Sequence, residues 1–366
     1  MTADSSPLTP YYVAFQRVPG MGRHRFELLE AAFGSLSAAW SAPETGLIAA
    51  GLDAKTAAAV EQTRRSLSPG GEWERLQRLG VRAVTWHDAE YPRLLKECFD
   101  RPPVLYLRGA FAPEDEFSIA VVGTRAMTPY GRAVTEQLCE ELAAAGVTVV
   151  SGLARGVDGA AHRAALRQGG RTVAVLPSPV TEVYPPVHRQ LADQVAEHGA
   201  VVSEYYPGER LRRESFWRRN RIVAGLSLGI VVTEGDDASG ALITARQALE
   251  ENREVFAVPG SIFSPGSRGT NGLIQRGEAK LVVHAEDVLS ELNLSSVPQQ
   301  LALEQALPAE ADESYVLQCL GSEPQHIDEV TRRTGFEPAR VSALIAMLEL
   351  RGAVRAVGPM SYARAR

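Results

Sequence analysis

A chain of 366 residues with 45% hydrophobic and 22% charged side chains holds enough apolar material for two or three soluble domains. No apolar run approaches the roughly 20 residues that span a bilayer, and MTADSSPLTP at the N-terminus has neither the basic nor the apolar region of a secretory signal, so a cytoplasmic location is expected. A net charge of −6 excludes a uniformly basic nucleic-acid binder but leaves room for a local basic patch, and three separated cysteines (Cys98, Cys139, Cys319) fit a reducing compartment and exclude a disulfide framework or CxxC zinc ribbon.

Residues 10–75 carry apolar positions at helical spacing on both sides of VPGMGRHR (Val18–Arg25), which predicts short helices and a helical N-terminal domain over 1–78. A Gly-x-Gly turn between two helices resembles the helix-hairpin-helix element that presents backbone N–H groups to a DNA phosphate. Relief of φ strain in a plain helix–helix turn explains the same glycines. The stretch VRAVTWHDAEYPRLLKECFDRPPVLYLRGA reads as a strand, a short helix, a Pro-Pro turn and a second strand, attached to the next domain.

From 117 to 290, the apolar runs SIAVVG, VTVVSG, RTVAVLP, GAVVSE, LGIVVTE and EVFAVPG alternate with amphipathic segments of helix length. This alternation predicts an α/β domain over 79–292, with a parallel sheet covered on both faces. Proline, serine and glutamine with weak periodicity predict a linker over 293–312. Helical segments at 313–320, 326–334 and 338–350, then a hairpin over GAVRAVGPMSYARAR, predict a winged-helix-like domain over 313–366.

Ligands of open α/β sheets lie beyond the carboxyl ends of the strands. Gly123-Thr124-Arg125 follows the first run: the glycine permits a sharp turn, the next N–H groups and helix N-terminus favour an anion, and Arg125 adds a planar fork for phosphate oxygens. The second run leads into Gly152–Gly159, with Arg155 as a second cation. GxGxxG is absent and the second run ends in Ser151 instead of a ribose-binding acid, which argues against a dinucleotide; GxxxxGK[ST] is also absent. Tight turns alone are the alternative for these glycines, and the two arginines beside them favour an anion site.

Glu209–Arg221 holds six arginines against two glutamates, a local net of +4, with Phe216 and Trp217 among them. Cations interleaved with aromatics suit single-stranded nucleic acid, where rings stack on unpaired bases. The alternative is a solvated arginine face over two core aromatics, and one ring is expected to pack inward. His162 follows Asp158 by four residues; a capping aspartate and a hydrogen-bonded histidine are favoured over an acid/base pair. EGDD (Glu234–Asp237) reads as an exposed acidic turn. HExxH, GxSxG and metal-ligand spacings are missing, so no catalytic residue, metal or cofactor is expected.

GTR (Gly123–Arg125), SGLARGVDGAAH (Ser151–His162), YPP (Tyr184–Pro186), SEY, RNRIVAGLS (Arg219–Ser227), SGALITA (Ser239–Ala245), VFAVPG and GTNGLI occur in this order. Together they resemble the DNA-processing protein A family, DprA or Smf, over nearly the whole chain. The resemblance implies a Rossmann-like core with a small all-α N-terminal domain and a winged-helix-like tail. It implies a bacterial cytoplasmic protein of natural transformation that binds and shields incoming single-stranded DNA, loads the RecA recombinase onto it, and acts as a homodimer. No enzyme activity, cofactor, small-molecule substrate or membrane insertion is implied. The family's DNA pocket carries over to Arg125 with Gly123 and Thr124, to Phe216 and to Arg213, while Arg155, Asn220 and Arg221 match motif positions. GLIQRGEAKLV (Gly272–Val282) matches the self-association region, with Leu273 and Ile274 as interface residues. One departure is LPSPVTEVYPP, where the family has a glycine-containing turn; Pro177 and Pro179 remove donors, so a backbone anion nest is not expected there.

Two rival readings use the same residues. Cytokinin-activating phosphoribohydrolases share the broad fold but carry PGGxGTxxE, and EGDDASGALITARQALE lacks the double glycine. A groove-reading tail would present arginine, lysine, asparagine or glutamine to base edges, whereas PARVSALIAMLEL holds Arg340 alone, which favours a protein-interaction or dimer-stabilising role. Arg355, Arg364 and Arg366 remain available for phosphate backbone.

Overall fold

Side chains branched at Cβ favour the pleated backbone, and a strand apolar on both faces must be covered on both. In the computed structural model, which describes residues 7–294, 310–320, 325–350, 354–358 and 360–364, all six apolar runs form strands. Numbered in chain order, they are β3 (Ser118–Val122), β4 (Thr148–Ser151), β5 (Thr172–Val175), β6 (Gly199–Ser203), β7 (Gly229–Val232) and β8 (Glu254–Ala257). Except for Glu254 at the start of β8, every residue in them is buried.

The sheet order is β1-β2-β6-β5-β4-β3-β7-β8-β9, where β1 is Arg82–Thr85, β2 is Val104–Gly109 and β9 is Lys280–Leu281. All pairings from β6 through β9 are parallel. The segment read as an attachment supplies β1 and β2, which extend the sheet antiparallel beyond β6. Successive strands step one way from β3 to β6 and the other way from β7 to β9. The topological switch point therefore lies between β3 and β7, where crossover connections part and leave a crevice.

Helices α8 (Pro129–Ala144), α9 (Val157–Arg167) and α10 (Arg189–His198) form one packed row, and α11 (Arg213–Gly225) packs on α12 (Gly240–Glu250). The N-terminal helices, among them α1 (Thr9–Gln16) and α2 (Arg23–Phe33), share one continuous core with the sheet through Phe15, Phe26, Trp86 and Tyr106. The 78/79 boundary is thus not a break in packing: the chain divides into two compact units, Met1–Ser295 and Ser296–Arg366. Most of the expected linker, 295–309, lies outside the described residues.

The second unit joins α15 (Glu310–Cys319), α16 (Ile327–Thr334) and α17 (Pro338–Leu350) to a small sheet of order β10-β12-β11, with β10 at Gln325–His326, β11 at Val354–Gly358 and β12 at Ser361–Arg364. Val316, Val330, Leu344 and Leu348 fill its core, and Gly335 ends α16 in the left-handed conformation (φ 70°) that turns the chain into α17. This is a winged-helix arrangement.

Candidate nucleic-acid interface

At the end of β3, Gly123 allows close approach: a Cβ there would overlap the Val157 side chain and the Glu234 carbonyl. Thr124 N–H donates to the Glu234 carbonyl at 2.7 Å, and the Thr124 carbonyl accepts from Val157 N–H at 3.2 Å. Gly156 has a φ of 77°, and a Cβ on it would strike the Thr124 carbonyl. The turns after β3, β4 and β7 are therefore tied together by backbone.

These ties correct two expectations. Glu234 is buried, not part of an exposed acidic turn; its carboxylate accepts the Thr128 N–H (2.8 Å) and O–H (2.7 Å) at the start of α8. Asp158 accepts the Ala154 N–H at 3.2 Å before α9. Carboxylates of the chain itself already occupy the two turns expected to attract a foreign anion through N–H groups and helix dipoles. Anion binding here falls to side chains.

Between these turns, α11 and the start of α12 lies a cleft of about 700 Å³. Arg213, Phe216, Trp217 and Asn220, at helical spacing, form the α11 wall. Phe216 is half-buried. The Tyr184 ring meets it edge-on (5.4 Å, 76°), and the Arg125 guanidinium lies 5.1 Å from its ring centre. Arg125 and Arg213 are exposed and have no ion-pair partner among the described residues. Ser239 caps α12 by accepting the Ala241 N–H at 3.3 Å, and Ser239, Gly240 and Ala241 form the opposite wall.

The floor is cationic. Arg219 is buried, with Nη1 donating to the carbonyls of Gly152 and of Val175 (2.8 Å) and Nε donating to Asn220 Oδ1 (3.1 Å). A Cβ on Gly152 would overlap this guanidinium, which is why the second turn needs glycine. Burial pushes the Asp158 carboxyl up, against the pull of the Arg219 charge and the Ala154 N–H. Burial likewise lowers Arg219.

Of the residues expected in a DNA pocket, Gly123, Thr124, Arg125, Arg213, Phe216 and Asn220 line this cleft. Arg155 is exposed but does not line it. Arg221 points elsewhere, bound to Asp100 (2.8 Å) and Glu204 (2.7 Å). Leu273, expected at a self-association surface, lies in the core of its own chain at 1% exposure, whereas Ile274 is half-buried. Arg219, Tyr184 and the Ser239–Ala241 wall lie in the quoted motifs RNRIVAGLS, YPP and SGALITA, but none of them was expected in the pocket that they line. Spacing alone does not say which arginine of a dense run faces the sheet.

Fold and site define a class: a Rossmann-like domain with an arginine- and aromatic-lined switch-point cleft, joined to a winged-helix domain. The family model for DNA recombination-mediator protein A matches residues 82–293, and that for the DprA winged helix domain matches 300–358. Protein Smf of Synechocystis is 32% identical, covering 97% of this chain and 98% of the relative. DNA processing protein DprA of Bacillus subtilis is 42% identical over 58% of this chain and 72% of its own. Among solved structures, DNA processing protein A of Streptococcus pneumoniae superimposes with a TM-score of 0.69 at 33% identity, covering 78% of this chain and 99% of that one. The Helicobacter pylori protein, solved for its single-stranded DNA binding mode, gives 0.52 at 29% identity, covering 58% and 95%. The chain belongs to the DprA/Smf family of DNA-processing, recombination-mediator proteins. Among the described residues no helix is long and apolar enough to cross a membrane, and no cluster of three metal-ligating side chains occurs.

Proposed function

We propose that this protein binds single-stranded DNA in the switch-point cleft, shields it, and delivers it as a homodimer to the RecA recombinase during natural transformation. The observation that carries the reading is the unpaired Arg125 guanidinium held beside Phe216, in a cleft whose neighbouring turns already donate N–H groups to the protein's own carboxylates. A guanidinium takes a phosphate and a ring takes the face of an unpaired base, which a duplex hides in its stack. The single-stranded DNA binding mode described for the Helicobacter pylori relative supports it.

The cleft binds without reacting. Asp158 serves the backbone and His162 serves Thr172, so neither is poised as acid or base. In the winged-helix unit, Arg340 pairs with Asp312 and lies over Phe336, so α17 offers no free cation to base edges among the described residues. A protein-facing role suits this unit better, with the exposed Arg355 and Arg364 of its wing free to meet phosphates.

Fluorescence anisotropy of a labelled single strand against the equivalent duplex, over a salt series, tests this. Wild type is expected to prefer the single strand. Arg125→Ala should weaken binding and flatten the log–log salt slope by about 0.7, the value of one single-strand phosphate contact. Phe216→Ala should cost about 1–3 kcal/mol with the slope unchanged, since stacking releases no counterions. Equal binding to duplex, or an Arg125→Ala curve superimposed on wild type, overturns the assignment. Assembly of RecA on DNA coated with a single-strand-binding protein, with and without this protein, checks the loading step.

A further inference from the structure

We propose that a bound single strand does not end in the cleft but leaves it over Trp217 and continues along the outer side of α11 toward the N-terminal hairpin turn. This rests on the cleft reading and extends it to a second surface. That surface is a groove of about 770 Å³, walled by Gln16–Met21 on one side and by Glu209–Arg212 and the outer flank of α11 on the other.

Trp217 lines both the cleft and the groove, and its indole is 56% exposed. It stands as a ridge between two cavities, where an unpaired base passing from one to the other would stack. The groove also has the charge such a strand needs. Arg210, Arg212 and Arg218 line it, are exposed, and have no ion-pair partner among the described residues. Most other charges nearby are satisfied: Arg17 pairs with Glu72, and half-buried Glu209 accepts the Tyr206 N–H at 2.9 Å. Glu214 is exposed in the groove and has no cation partner among the described residues.

α11 thus carries free arginines on both flanks and an exposed ring between them, an arrangement that fits a continuous polyanion with unpaired bases better than two small anions. The hairpin contributes a wall, not charge. Arg23 is spent on Glu27, and Arg25 on Asp53 and the Gly20 carbonyl.

The test uses the full chain and oligothymidylates of roughly 4 and roughly 12 nucleotides, which bracket common single-strand site sizes. Arg125→Ala should weaken both lengths. The double variant Arg210→Ala/Arg218→Ala should weaken only the longer one, by about tenfold, with a salt slope lower by about 1.4 for two lost phosphate contacts. Glu214→Gln should strengthen only the longer one, by about two- to threefold from one repulsion relieved near the surface; misfolding cannot imitate this gain. If Arg125→Ala weakens both lengths while the groove variants change neither, the strand stops in the cleft and this proposal falls alone. If the groove variants shift both lengths equally, the arginines act as a diffuse field and the track is wrong. If Arg125→Ala changes nothing, the cleft reading fails and takes the track with it.

Discussion

His162 lies on α9 with its ring wholly buried beneath the sheet. Thr172 Oγ1 donates to the Val149 carbonyl (2.6 Å), so it must accept from His162 Nδ1–H (2.7 Å), which leaves Nε2 unprotonated and without a partner among the described residues. Burial, together with the nearby charges of His188, Arg163 and Arg219, pulls its pKa from 6.5 to about 3. The unfolded chain therefore binds a proton that the folded chain refuses, and stability that is complete above pH 6.5 is lost as the pH falls. The loss is about 2 kcal/mol by pH 5. Urea unfolding of wild type and His162→Gln at pH 7 and pH 5 should show this difference, with the variant flatter; parallel losses would refute it. Buried Asp158 shifts in the opposite sense as its carboxyl is pushed up, and the comparison between the two proteins removes its contribution.

At the scale of elements, α8 and α11 show why the cleft is shaped by distant partners. α8 begins at Pro129 with Thr128 as its cap, and the carboxylate that completes the cap comes from Glu234, across 106 residues. Glu234→Gln replaces one acceptor oxygen by an NH2 group facing a donor. This should cost about 1–3 kcal/mol of stability and loosen the turn that presents Arg125. Urea unfolding together with single-strand affinity checks it, and a variant as stable as wild type would show that the cap carries no weight. α11 has no single polar face. Arg219 is directed under the sheet edge to the carbonyls of Gly152 and Val175, and Arg221 is clamped between Asp100 and Glu204. Arg213 and Arg218 stay in solvent on opposite flanks. The motif RNRIVAGLS pointed to this helix, but its two arginines are spent on the chain itself: Arg219 as the buried floor of the cleft beside Asn220, and Arg221 away from it.

For the whole molecule, a net charge of −6 coexists with a local excess of +4 over Glu209–Arg221, so nucleic acid would meet an attractive patch on a repulsive body. For the proposed homodimer, the β8–β9 end of the sheet is the surface we propose for the seam. β9 is a short edge strand, Leu281 is 45% and Val283 53% exposed, and Phe263 protrudes from the loop after β8. Leu281→Arg should give a folded monomer by light scattering, while Leu273→Arg should fail to fold because that side chain is core; an unchanged dimer in Leu281→Arg would place the interface elsewhere. The sheet, its parallel core and the loops that face the ligand were legible from the sequence, because runs buried on both faces and glycine turns are local signals. So were Arg125 after the first run, the basic stretch and its rings. Tertiary structure alone decided which arginines are free and which are spent, that Leu273 is core, and that Glu234 is buried against the start of α8. Those outcomes depend on which side of α11 meets the sheet and on contacts between strands far apart in the chain, and no local period records either.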